Sequence, residues 1–290
     1  MLDVRRLRLF CDLDRLGTIA AVAQAHTYSA SAVSQQLSVL EREAGVPLLE
    51  RTGRRVSLTA AGRVLARHAA GVLSALEETE AALAAVRSGP AGQLRIGAFP
   101  TAVRTVLPPA LVALGRAHPA LDLLVAEVDP ADVPAGLRER RLDVGLLTDY
   151  DLAPGDTDAD LDSVPLLDET VFLAGLDRVC LDEARHRPWI VASEGTLCHE
   201  VTLRVCAAAG YTPRVRHRAD DFATVLALVA AGQGVSLVPE LAISAPPPPV
   251  ELVPLPLRRR TRIAYRKGTA HHPAVAALVA ALSDSAEGTS

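Results

Sequence analysis

Tyr28–Gly45 reads YSASAVSQQLSVLEREAG, and the rest of the chain can be read outward from it. Ala32, Val33, Leu37 and Leu40 recur at helical spacing, so a helix here can bury one side. Ser31, Ser34, Gln35 and Ser38 fall on the other side with no large apolar residue among them. Ser29 precedes the periodic run, where a hydroxyl caps free backbone N–H groups, and Gly45 stands where such a helix stops. A helix that is apolar on one face and lined with short hydrogen-bonding side chains on the other suits the DNA major groove. Ser and Gln reach base edges without filling the groove. The same pattern also describes an ordinary solvated face, so the neighbouring segments decide between the two.

Thr18–Ala25, TIAAVAQA, is a short helix capped by Thr18, and His26–Ser29 is the turn that joins it to the polar-faced helix, which makes a helix-turn-helix. In Gly45–Gly62, GVPLLERTGRRVSLTAAG, the extended runs Pro47–Glu50 and Arg55–Leu58 flank Thr52-Gly53 as a hairpin. That hairpin carries Arg51, Arg54 and Arg55, a cluster suited to phosphates. The helix supplies Ser29, Ala30, Ser31, Ser34, Gln35 and Ser38 as the other candidate DNA contacts. The stretch SAVSQQLSVLEREAGVPLLERTGRRVSLTAAG resembles the signature of the LysR-type transcriptional regulators over the first sixty or so residues, and the remainder fits that family's layout. Family members often carry Gln-Pro where this chain has Ala30-Ser31, and often Arg where it has Gln35. These departures bear on base preference, not on the DNA-binding role.

Charge is distributed to match. The 290 residues carry a net charge of −4, yet Met1–Arg67 holds ten Arg against six Asp and Glu, a local balance of +4. A basic head on an acidic body fits one nucleic-acid-binding module joined to something else. Met1–Leu16 is charged throughout, unlike a signal peptide, and no uncharged apolar run of ~18 residues suggests a membrane span. Cys11, Cys180, Cys198 and Cys206 form neither a CxxC nor a Cys/His metal spacing. No metal and no cofactor is expected, and a reduced, cytoplasmic setting is.

Val4–Leu16 reads as a first helix packed under the other two. Thr59 caps a long helix running to about Arg87, along which Leu65, Ala69, Val72, Leu76, Thr79, Leu83 and Val86 form a heptad seam. The seam reads either as a dimerisation helix, which sets two recognition helices on one two-fold axis, or as a helix lying on its own domain. The resemblance implies the former. It also implies a homodimer or homotetramer with promoter DNA, a small-molecule effector and RNA polymerase as partners.

After the linker Ser88–Gly92 the pattern alternates. Strands are expected at Gln93–Phe99, Leu121–Val128, Val144–Thr148, Val164–Leu167, Thr170–Ala174, Trp189–Ala192, Arg214–His217, Val235–Val238, Val250–Leu255 and Arg262–Tyr265. Helices are expected at Val106–His118, Val133–Arg141, Thr196–Ala209, Phe222–Ala231 and His272–Leu282, with Pro246–Pro249 a stiff spacer. Such alternation indicates βαβ units around a mostly parallel sheet. The expected fold is therefore an N-terminal winged helix-turn-helix (1–58), a linker helix (59–88) and an α/β domain (92–290). The resemblance further implies a two-lobed, periplasmic-binding-protein-like effector domain. Lobe I would take 92–162 and 263–290, lobe II 163–262, and Thr157–Asp162 would cross between them.

In open α/β sheets ligands sit beyond strand C-termini. The candidates there are Pro100, Thr101 and Ala102 after Phe99, then Thr148 and Asp149, Glu194 and Thr196, and Val235. Thr101 and Thr196, with helix N-terminal N–H groups, suit a carboxylate. Asp149 and Glu194 bring negative charge, which keeps an amino acid as open as an organic acid. Cys198 and Cys206 lie on the helix opening at Thr196, a region resembling that used by peroxide-sensing members of the family, and a thiol-based redox regulator is the alternative reading. Eight residues on one helix span ~12 Å, too far for a disulfide without unfolding it, which favours packing cysteines. An enzyme on a binding-protein-like fold is the remaining rival. GxSxG, HExxH and GxxxxGK[ST] are absent, and neither His199-Glu200 nor His271-His272 has converging partners, so no catalytic residue is assigned.

Overall fold

In the computed structural model the first helix, α1 (Val4–Leu16), begins where Asp3 accepts the N–H groups of Arg5 and Arg6 at 2.9 and 3.2 Å, and ends at Gly17 with φ 71°. The model describes all residues except 53–54, 87–88, 154–157, 177–180, 244–248 and 288–290. Helix α2 (Ile19–Ala25) is capped by Thr18, and α3 (Ala30–Ala44) by Ser29, whose Oγ accepts the Ala32 N–H at 3.1 Å; Gly45 (φ 71°) ends α3. Phe10, Val22, Val33 and Leu40 are wholly buried and Leu37 nearly so, giving the three helices one core. Each such side chain contributes about 1.5–3 kcal/mol relative to exposure.

Strands β1 (Leu49–Thr52) and β2 (Arg55–Leu58) pair antiparallel, with Leu49 opposite Leu58. Helix α4 (Ala60–Val86) follows at once. Thr59 ties the junction: its Oγ1 donates to the Pro47 carbonyl at 2.8 Å and accepts the Gly62 N–H at 3.0 Å. Gly62 is there because the chain passes so close that a Cβ would stand 2.2 Å from the Leu48 carbonyl oxygen. The heptad positions of α4 divide. Ala69 and Leu65 pack into the helix-turn-helix core, whereas Val72, Leu83 and Val86 are exposed. The first part of the seam is thus spent on its own domain, and the later part carries apolar residues in solvent. One compact unit comprises Met1–Arg87 together with Arg266–His272; the other comprises Ser88–Tyr265 with Pro273–Ser290.

The second unit runs β3 (Gly92–Ala98), α5 (Pro100–Arg104), α6 (Leu107–Ala117), β4 (Leu121–Glu127), α7 (Val133–Arg138), β5 (Val144–Tyr150) and β6 (Leu161–Ala174). It continues with α8 (Leu181–Ala184), β7 (Pro188–Val191), α9 (Leu197–Ala208), β8 (Arg214–Arg218), α10 (Phe222–Ala230), β9 (Ser236–Pro239), β10 (Leu252–Arg266) and α11 (Pro273–Glu287). One sheet has the order β4-β3-β5-β10-β6-β9. Strands β4 and β5 run parallel to β3, while β10 is antiparallel to β5 and β9 antiparallel to β6. Strands β7 and β8 form a parallel pair, and hydrogen bonds between Pro188, Ile190 and Val235 join β7 to the segment leading into β9. The chain's single tryptophan, Trp189, is wholly buried here, its indole N–H donating to the Ala184 carbonyl at 3.0 Å.

Two expected pairs of short strands are each one long strand. Val164–Leu167 and Thr170–Ala174 merge into β6, and Val250–Leu255 and Arg262–Tyr265 merge into β10. The charged residues between them, Asp168-Glu169 and Arg258-Arg259-Arg260, look like breaks in sequence. Across the sheet they are partners: Arg258 to Asp168 at 2.8 Å, Arg259 to Glu169 at 2.7 Å, Arg260 to Asp151 at 2.6 Å. These strands carry the chain through the middle of the sheet. The expected crossing at Thr157–Asp162 lies partly outside the described residues, as does Pro246–Pro249, and Leu161 and Asp162 already belong to β6. The short helices α5 and α8 were not expected. Substituting Gly62→Ala should force the wing and α4 apart and lower stability by about 1–3 kcal/mol, read as a lower midpoint of urea unfolding in the full chain.

Candidate nucleic-acid interface and effector site

Burial of Val33, Leu37 and Leu40 turns the opposite side of α3 outward. Ser29, Ala30, Ser31, Gln35 and Ser38 are exposed, and Ser34 is half-buried. Their hydrogen-bonding capacity is not equally free. Ser29 is engaged as the cap and lies 3.0 Å from the Ser31 hydroxyl, and Ser38 donates to the Ser34 carbonyl at 3.0 Å. Gln35 makes no hydrogen bond among the described residues, so its amide is the most available group for a base edge. Arg54 lies outside the described residues, and so do the side chains of Arg51 and Arg55.

Residues that the periodicity did not single out lock this surface in place. Glu41 of α3 accepts the N–H groups of Leu48 and Leu49 at 2.9 and 3.0 Å, which fixes the start of the wing to the recognition helix. Arg6 donates to Gln36 at 2.9 Å and pairs with Glu43. Asp12 receives His26 at 2.6 Å and Arg15. Burial alone would raise the Asp12 carboxyl, but those hydrogen bonds outweigh it and hold the group below the usual carboxylate range.

The second unit places the expected ligand residues unequally. Thr101 and Ala102 are buried in α5, behind Pro100, and the Thr101 hydroxyl is a buried group without a hydrogen-bond partner. Thr148 faces Thr261 across β5 and β10, and the Thr261 hydroxyl is likewise unpartnered. Asp149 is paired with Arg262 at 3.2 Å and Arg260 at 3.9 Å, and Glu194 with Arg218 at 2.7 Å. Neither carboxylate therefore brings net negative charge to a cleft, which removes the charge argument for a basic effector. Thr196 caps α9 by accepting the His199 N–H at 3.3 Å and donates to the Ser193 carbonyl at 2.7 Å. Val235 is buried, and both its backbone groups are taken by β7.

At the centre stands a residue the loop-by-loop reading passed over. Arg259 is 2% exposed in the middle of β10. Its Nε donates to Glu169 at 2.7 Å. Its Nη2 stands in ion-pair contact with the same oxygen but has no aligned hydrogen bond. Its guanidinium carbon lies 5.1 Å from the centre of the Phe99 ring, and Tyr150 is directly opposite in the ladder. The other Glu169 oxygen accepts the Leu241 N–H at 2.6 Å. The signal for Arg259 was period two: in RRRTR the outer arginines share one face and Arg259 the other.

Tyr150 in turn meets Cys198, with 3.6 Å between hydroxyl and sulfur. Burial pushes both groups up, and the Tyr150 hydroxyl only partly offsets this at Cys198. Cys206, further along α9, is pushed up to about 11 by burial. A thiol raised in this way is a poor nucleophile. Beside Tyr150 and Cys198 lies a cavity of about 20 Å³, also lined by Thr202, Asp220, Phe222 and Ser236. That is room for roughly one water molecule. Arg104 at the end of α5 pairs with Asp221 at the start of α10 at 2.7 Å. Among the described residues no group of three His, Cys, Asp or Glu side chains is placed to hold a metal ion.

A family model described as the LysR-family bacterial regulatory helix-turn-helix protein matches residues 4–63, and one described as the LysR substrate binding domain matches 87–287. A Mycobacterium avium protein described as "Probable hydrogen peroxide-inducible genes activator" is 33% identical over 246 residues, 82% of this chain and 78% of that one. The transcriptional dual regulator GltC of Bacillus subtilis is 26% identical over 249 residues, 82% and 81% of the two chains. Among solved structures, full-length OxyR of Pseudomonas aeruginosa superposes with a TM-score of 0.61 at 22% identity, covering 99% of this chain and 95% of that one.

The geometry of the core pair has a measurable consequence. Glu169→Leu alone should cost roughly 3–5 kcal/mol by stranding the Arg259 charge, while Glu169→Leu with Arg259→Met should cost much less; Trp189 emission during urea unfolding reads both. For the thiols, only the thiolate reacts, so with Cys206 at about 11 its labelling by a disulfide reagent should be slow at pH 8, rise with pH towards 11, and become fast at pH 8 once urea unfolds the chain.

Proposed function

The chain belongs to the LysR family of transcriptional regulators, and we infer that its promoter binding is tuned by a small organic acid received around Arg259. The DNA-binding role rests on one observation: α3 is anchored from behind by Val33, Leu37 and Leu40 and presents Ser31, Gln35 and Ser38 to solvent. Gln35, Ser31, Ser34 and Ser38 read bases. Ser29, Ala30 and the wing arginines Arg51, Arg54 and Arg55 hold phosphates. The exposed Val72, Leu83 and Val86 of α4 meet a second copy, so that two recognition helices address two half-sites. RNA polymerase is the downstream partner. Among the described residues no helix is long and apolar enough to cross a membrane, which supports a cytoplasmic regulator, and no catalytic constellation argues for an enzyme.

The acid reading is supported by donors left over inside the fold: the unaligned Nη2 of Arg259 and the partnerless hydroxyls of Thr101 and Thr261, all on buried residues. A carboxylate satisfies such a set. The present cavity is too small for one, so binding requires α5 and α10 to part at Arg104–Asp221 and close again on the ligand.

A second reading, response to peroxide through Cys198, has one observation in its favour: the water-sized cavity beside Cys198 and Tyr150, in a chain whose relatives include the Mycobacterium avium protein named as peroxide-inducible. The raised thiols weigh against it. Gel shift on the duplex upstream of the protein's own gene separates the two. Mono- and dicarboxylates should change the mobility or affinity and shift Trp189-detected melting, whereas peroxide should act no differently on Cys198→Ser than on the wild type. If peroxide alone acts, and only with Cys198 present, the second reading replaces the first. Gln35→Ala should alter sequence preference, and Arg54→Ala with Arg55→Ala should weaken all duplexes and flatten the salt slope by roughly one unit per lost phosphate contact. An unchanged slope removes the wing from the interface.

A further inference from the structure

Glu77 lies on the covered side of α4, 8% exposed, between two arginines: Arg8 of α1 at 3.8 Å and Arg266 at 3.5 Å. Arg266 is the last residue of β10, and the stretch Arg266–His272 belongs to the same compact unit as α1 and α4. Its fit there is close. Gly268 has φ +87°, and a Cβ on it would stand 2.5 Å from the Ser74 carbonyl oxygen and 3.0 Å from Glu78 Cγ. Thr269 is buried and braces the loop, its N–H and hydroxyl both donating to the Arg266 carbonyl at 3.0 and 2.7 Å. His272 then donates to the Thr269 carbonyl at 2.9 Å. No side chain larger than hydrogen fits at Gly268 without moving the loop off α4.

Seven residues earlier on the same strand is Arg259, ion-paired with Glu169 and stacked on Phe99. An extended strand is stiff along its length, about 23 Å over that distance. A displacement at Arg259 therefore reaches Arg266 with little loss. We propose that β10 is a covalent lever, through which occupancy of the site around Arg259 resets Glu77 and with it the seating of α1 on α4. This rests on the effector reading given above. Glu77 acts as a positioning residue with two arrangements: shared between Arg8 and Arg266, or held by Arg8 once the loop has shifted. Coupling carried by a packed element with two such states needs no contact between effector and DNA. None of Glu77, Gly268 and Arg266 is placed on the DNA-facing side of α3.

The test is amide hydrogen exchange and duplex affinity on the full chain, in wild type, Gly268→Ala and Glu77→Gln. Gly268→Ala should speed exchange roughly tenfold or more at 266–272, at 74–78 of α4, around Arg8 of α1 and along β10 towards Arg259. It should also change affinity for the protein's own upstream duplex by about fivefold or more. Glu77→Gln keeps the backbone fit and should reproduce the effect at Arg8 and on affinity, so a folding defect in the glycine variant does not decide the matter. Buried Trp189 emission in both variants reports that the second unit is intact. Faster exchange confined to 266–272, with affinity within about twofold of wild type in both variants, would overturn the lever. Absence of any duplex preference in the wild type would instead overturn the regulator reading, and the exchange pattern would still judge the lever.

Discussion

Contact with DNA depends on one helix having two unlike sides. Helix α3 must bury Val33, Leu37 and Leu40 to exist as part of a core, because fifteen residues of this composition have little helical stability alone. That burial costs it half its circumference and fixes which half is left. The remaining face is made of small groups whose cost of exposure is low and whose hydrogen bonds are open to a partner. The side chains that flank the two halves, Glu41 towards the wing and Arg6 towards Gln36 and Glu43, hold the helix in rotation. Loss of any one of them turns the hydroxyl-bearing face relative to the wing without touching it.

The second unit follows a different constraint. Its two long strands carry charge through the middle of a sheet, where a break would be expected. The outer arginines, Arg258, Arg260 and Arg262, lie opposite Asp168, Asp151 and Asp149 and remain partly solvated. Such pairs contribute little individually. Arg259 and Glu169 point the other way and are buried, where a pair adds little net stability but is costly to break. A residue kept there at that cost fits a site better than a scaffold, which is why the ligand reading is centred on it.

How much was legible follows the same physics. Helix α1 and the recognition helix have the ends the sequence names, because Asp3, Ser29, Gly17 and Gly45 make local hydrogen bonds or adopt positive φ, and local chemistry is written locally. The long strands were read as pairs of short ones because the partners of Asp168 and Arg258 come from distant positions. Arg259 was passed over for the same reason: what makes it notable is burial, and burial is a property of the assembled sheet. Asp149 and Glu194 illustrate the reverse error, in which a charge seen in sequence is cancelled by an arginine that only the fold brings near. The seam on α4 was legible as apolar, but which half is spent on its own domain was not, since that depends on how α1 lies across it.

The central claim is that the solvent-facing side of α3 recognises duplex sequence. The most direct measurement is the ratio of affinities, at one fixed salt concentration, of the full chain for its own upstream duplex and for a scrambled duplex of equal length and composition. The account predicts a ratio of roughly a thousand or more. Equal affinity for both, from a sample whose Trp189 emission shows it to be folded, contradicts it.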